Sequence, residues 1–110
     1  MNVPYKAIDY IIQHAPKFAA AKSQRTYLEN FLRTKKALLM KDAMQMGYES
    51  AAAQEREAYA HPEYQELLKG LAVAIEEEET LKWMLTAAQM RSDIYRTEEA
   101  SNRFVQKSTV

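Results

Sequence analysis

From Leu67 onward, apolar residues recur at alternating steps of four and three: Leu67, Leu71, Ala74, Leu81, Leu85 and Ala88. Glu78 occupies one position of the series, and Ser92, Tyr95, Glu99 and Asn102 continue it in weaker form. That spacing puts the set on one side of a helix, in the manner of a coiled-coil seam. Leu68 and Ile75 widen the stripe in the first turns. Pro62 suits a first helical position, where its missing N–H costs nothing. Glu63 and Glu66 complement the positive end of the helix dipole. The predicted helix covers 62–104, about 60 Å at roughly 1.5 Å per residue. A compact chain of this length has a radius of gyration of only about 13 Å. The stripe is therefore expected to be buried against another copy or another protein, with Leu67, Leu71, Leu81, Leu85 and Ala88 as the oligomer seam.

The first half of the chain repeats the pattern. Phe18, Ala21, Leu28, Phe31, Leu32, Leu38, Leu39, Ala43 and Met46 predict a helix over 16–46. Gly47 ends it as a left-handed C-terminal cap. A short helix is predicted over 4–14, with Tyr5, Ile8, Ile11 and Ile12 as its apolar face, and Pro16 is expected to break the chain after it. Ser50 can cap another short helix over 51–59. Gly70 lies inside the last helix and marks a close helix crossing or a bend. Residues 106–110 are expected to fray. The fold class that follows is all-α: a single domain over 1–110, with two long helices in an antiparallel hairpin plus two short helices, oligomerising through the long C-terminal helix.

Composition sharpens this picture without changing it. The chain has 110 residues, 47% apolar and 27% charged, with only two glycines and three prolines. Cysteine is absent, which removes disulfides, thiolate metal sites and cysteine nucleophiles. No signal peptide and no apolar run of bilayer length is visible, so a cytoplasmic protein with no membrane association is expected. The net charge is zero, but residues 1–46 carry eight basic against three acidic residues, and residues 47–90 carry three basic against nine acidic. These elements can pair with each other, or leave a basic face free for a polyanion.

Candidate chemistry is sparse. His14 and His61 both stand near prolines at predicted helix boundaries, and neither follows a glutamate at the three-residue spacing of a bundle metal site. Neither a metal nor a cofactor is expected, and no small-molecule substrate is evident. The run Glu76-Glu77-Glu78-Glu79 covers every direction around a helix, so most of it must be solvated. Glu78 faces the seam, where a Lys or Arg from the basic helix can neutralise it. Lys22, Arg25, Arg33 and Lys36 lie close to one stripe, with Glu29 among them and Tyr27 nearby. Basic residues interleaved with aromatics suit single-stranded nucleic acid, through phosphate neutralisation and base stacking. The plainer reading is a solvated face, or a partner for acidic residues. Trp83 lies off the main seam and either caps a broad core or anchors a second contact. Phosphate-binding, nucleophile-elbow and metalloprotease motifs are absent, so no catalytic residue is assigned.

The stretch Ala58-Tyr59-Ala60-His61-Pro62-Glu63-Tyr64-Gln65-Glu66-Leu67-Leu68, with Glu76 to Gln89 and Tyr95-Arg96, resembles small helical proteins encoded by tailed phages and prophages. The resemblance covers about half of the chain. It implies a phage accessory protein acting beside enzymes of DNA recombination or replication in the host cytoplasm, with no catalytic residues to carry over. The expected function is a non-enzymatic oligomeric adaptor, meeting single-stranded DNA or a protein of DNA metabolism. The alternative is a regulator or inhibitor of a host protein, working through Trp83 and the acidic surface. A small enzyme or metalloprotein built on Glu78 and the tyrosines is the third class.

Overall fold

A computed structural model describes residues 3–108. The described chain is all-α: α1 covers Val3–Gln45, α2 covers Ala51–Ala60 and α3 covers Pro62–Ser108. By contact the chain divides into two compact units, one of Ala20–Glu78 and one of Met1–Ala19 with Glu79–Val110. Both long helices contribute to each unit.

The expected break at Pro16 does not occur, and the two helices predicted over 4–14 and 16–46 are one. There is thus one short helix, α2, where the sequence suggests two. Pro16 removes the N–H that would bond the Ile12 carbonyl, and a proline in a helix interior costs about 3 kcal/mol. The helix survives because its buried positions keep one phase across the proline. Ala7, Ile11, His14, Phe18, Ala21 and Arg25 are all buried or half-buried, at alternating steps of four and three. His14 therefore sits in mid-helix. Its Nδ1–H donates to the Tyr10 carbonyl at 2.8 Å, and its ring stacks on Tyr10 with centroids 3.8 Å apart.

The turn chemistry follows the residues present. Gly47 has φ +106°, the left-handed conformation expected there. Tyr48 N–H donates to Ala43 O and Gly47 N–H to Met44 O, each at 3.1 Å, the paired bonds of a Schellman cap. Ser50 caps α2, its Oγ accepting from Ala53 N–H at 3.1 Å. His61 closes α2 through its backbone N–H and opens α3 through Nδ1, which accepts from Glu63 N–H at 3.1 Å. At the far end α3 runs to Ser108, past the expected limit near 104. The last two residues of the predicted frayed end, Thr109 and Val110, lie outside the described residues.

In the unit of Ala20–Glu78 the buried residues are Ala21, Leu32, Leu39 and Ala43 of α1, Ala58 of α2, and Ala74 and Glu78 of α3. Ala58 has no solvent exposure at all. Small side chains at most of these places let helix backbones approach closely. Leu32 and Leu39 carry the larger gain, about 1.5–3 kcal/mol each on burial. In the other unit the buried residues are Ala7 and Ala88. Among the described residues, no large side chain is fully buried.

Gly70 marks neither a close crossing nor a forced conformation: it is exposed, within α3, and a Cβ placed on it meets nothing within 4 Å. Gly70→Ala should therefore stabilise the protein by about 1 kcal/mol, the helix-propensity difference. Gly47→Ala should destabilise it by about 1 kcal/mol, because an L-residue is strained at that φ. Urea midpoints of the two variants should move in opposite directions, and a fall for Gly70→Ala would contradict the open surroundings.

Candidate interaction surfaces

The α3 stripe read from the sequence is the stripe that α3 turns inward. Leu67 and Leu71 are half-buried in the Ala20–Glu78 unit, alongside buried Ala74 and Glu78. Leu81 and Leu85 are half-buried, and Ala88 buried, in the other unit. The face assigned to an oligomer seam is thus largely occupied by contacts within one chain.

The α1 basic stripe is similarly divided. Arg25 is a seam residue of α1, filling the place between Ala21 and Leu28. It meets Glu78 of α3 side-on: Nε–H donates to Glu78 Oε2, and Nη2 to Oε1 at 3.2 Å. Nη1 donates to Glu29 at 2.8 Å. Glu78 is only 7% exposed, so its carboxylate needs these charged donors. Hydrogen bonds donated first to Glu78 and then to Glu29 raise the Arg25 pKa above its ordinary value.

Lys36 is held at 3.1 Å by Glu55 of α2, with its ammonium 4.6 Å from the Tyr59 ring centre. The Tyr59 hydroxyl, followed by Glu55, raises its pKa. Tyr59 in turn meets Tyr64 of α3 edge to face, with centroids 5.3 Å apart. Lys35 pairs with Glu63 at the first turn of α3. Of the four residues proposed for a polyanion face, Arg25 and Lys36 are engaged by the chain's own carboxylates, while Lys22 and Arg33 are exposed. Four convergent cations are not presented together. The missed signal was the gap between Ala21 and Leu28: a seam residue was due at 25, and an arginine stood there.

Exposed large apolar residues occur in both units; Tyr27, Leu38, Met44, Met46, Tyr48, Tyr59, Leu68, Val73 and Ile75 are those of Ala20–Glu78. In the unit containing both described chain ends, Tyr5, Ile8 and Ile12 of α1 and Trp83, Met84, Met90, Ile94, Phe104 and Val105 of α3 are all exposed. Trp83 is 63% and Phe104 72% exposed. Every described residue from Arg96 to Ser108 is exposed, so this part of α3 has no cover on any side. Among the described residues no cluster of three metal-ligating side chains exists, and no helix is long and apolar enough to cross a membrane.

Two outcomes follow from the ion pairs. Glu78→Ala leaves the Arg25 guanidinium half-buried without its main acceptor and should cost about 1–3 kcal/mol. Arg25→Met combined with Glu78→Leu should recover most of that loss in thermal melts. If Glu78→Ala melts like the parent chain, the pair is not structural.

The second outcome concerns pH. The Lys35 and Lys36 ammonium groups hold Glu63 and Glu55, respectively, below the ordinary glutamate pKa of 4.5. Stability from these pairs is complete above pH 4.5 and is lost as pH falls through the lowered values. Lys36, raised above 10.5, gives stability complete below that pH and lost as pH rises through its raised value. The urea midpoint should therefore decline at both extremes. Lys36→Met should flatten both limbs, and an unchanged profile in that variant would refute the assignment.

Comparison with known protein families, with curated proteins and with solved structures finds no match to this chain.

Proposed function

We propose that this chain is a non-enzymatic interaction protein that works as an oligomeric adaptor. In this reading α1 and α3 form an antiparallel hairpin and the exposed apolar side chains of its open end carry the contacts. The single observation behind it is the set Tyr5, Ile8, Ile12, Trp83, Met84, Met90, Ile94, Phe104 and Val105, all exposed in one unit. Large apolar side chains left in water are candidate protein contacts. The reversed order of the ion pairs, Arg25 with Glu78 and Lys35 with Glu63, supports the hairpin.

The setting suggested by sequence resemblance is a phage accessory factor for DNA recombination or replication. Engagement of Arg25 and Lys36 by glutamates favours a protein of that machinery over single-stranded DNA as the direct partner. A regulator of a host protein is the second reading, favoured by the exposure of Trp83, since exposed tryptophans are common anchors of protein contacts.

Light scattering across micromolar concentrations should show reversible association that persists at about 0.5 M salt, where exposed charge pairs are screened. Fluorescence anisotropy should show no retention of single-stranded DNA at that salt. A monomer at every concentration that retains DNA would overturn the adaptor reading.

A further inference from the structure

Four of the exposed large apolar residues of α3, Trp83, Met90, Ile94 and Phe104, share one side of the helix. Trp83, Ala87, Met90, Ile94, Thr97, Ser101, Phe104 and Ser108 repeat at alternating steps of four and three, a second seam. It stands two residues out of phase with the inward seam, which includes Leu85, Ala88, Ser92 and Tyr95. Two residues correspond to roughly 200° around the axis, so the two seams lie on opposite sides of α3. The outer seam runs about three and a half heptads, a length that supports coiled-coil pairing. Two shallow grooves lie along it. One, of about 350 Å³, is lined by Ala87, Met90 and Ile94 with Arg91 and Glu98. The other, of about 680 Å³, includes Thr97, Ser101, Phe104 and Val105.

We propose that this outer seam of α3 pairs with the same seam of a second copy, antiparallel about a two-fold axis between Ile94 and Thr97. The proposal rests on the association reading above and names its face. Three features of the residue pattern single out this occupant and this direction.

The first is size. Antiparallel pairing about that axis sets Ile94 against Thr97 of the second copy, Met90 against Ser101, and Ala87 against Phe104. Each larger side chain thus meets a smaller one, and the Phe104 ring enters the groove at Ala87 and Met90.

The second is charge. Arg91 and Glu98 flank the seam on one side, and neither makes an ion pair among the described residues. The two-fold axis brings Arg91 beside Glu98 of the second copy, and Glu98 beside its Arg91. On the same side Met84 meets Val105, so the flank is self-complementary, as an isologous dimer requires.

The third is exclusion of the other direction. Parallel pairing places Asp93 next to Glu98 of the second copy, twice. Like charges at those flanking places oppose that arrangement.

The test uses the full chain in sedimentation equilibrium, with circular dichroism to verify equal helicity. Ile94 and Glu98 are exposed, and Arg91, also exposed, borders a groove with Lys6, Ala7 and Tyr10 of α1, so the helicity control applies above all to its variant. Arg91→Glu and Glu98→Arg alone should each weaken the dimer about tenfold, and the two together should restore it. Ile94→Glu should weaken dimerisation by at least about tenfold. Dimerisation that is indifferent to Ile94→Glu would refute this face while leaving the association reading in place. Failure of the double exchange to restore pairing would refute the antiparallel geometry. A parent chain that stays monomeric up to about 100 μM would overturn both.

Discussion

A carboxylate on the inward face of a helix needs a charged partner, and Glu78 has one in Arg25. The side-on guanidinium contact is directional as well as strong, because Nε and Nη2 must both face the two carboxylate oxygens. This matters because the surrounding seam is built from alanines and leucines, which pack almost as well after a slip of one heptad. Such a slip would take Glu78 away from Arg25, which would keep only Glu29 of its own helix. A buried ion pair adds little net stability over an apolar substitute, whereas removing one partner leaves a buried charge uncompensated.

The other ion pairs of the Ala20–Glu78 unit extend that control to its third helix. Lys36 joins α1 to α2 through Glu55 and Tyr59, and Lys35 joins α1 to the start of α3 through Glu63. His61 serves both α2 and α3, so the turn between them is short and defined. Ala58, fully buried, shows how close the packing becomes there. Three cations of the basic half, Arg25, Lys35 and Lys36, thus meet carboxylates of the acidic half within this unit.

The unit at the chain ends is arranged differently. Its buried residues are two alanines, Ile11, Phe18, Leu81 and Leu85 are half-buried, and other large apolar side chains are exposed. α3 turns one stripe inward and leaves Trp83, Met90, Ile94 and Phe104 exposed on the opposite side. A helix with two such faces suits an element between two partners, and the adaptor reading takes its physical basis from that geometry.

Much of the local structure was legible in the residues. The inward stripe of α3, the Gly47 cap, the Ser50 cap and the boundary role of His61 each follow from spacing or side-chain chemistry acting over a few positions. The need of Glu78 for a basic partner was legible too, although its identity was not. Local rules failed at Pro16, where a helix-breaking residue was overridden by a seam that keeps its phase on both sides. At Gly70, read as a close crossing or a bend, the surroundings are open and no close crossing occurs. A repeating apolar stripe says that something covers it without saying whose chain supplies the cover, and much of the α3 stripe is covered from within the chain. Spacing along a helix is a property of the sequence. Which face meets α1, which cations are already engaged and which apolar side chains stay in water are set by contacts between distant residues, and only the folded chain decides them.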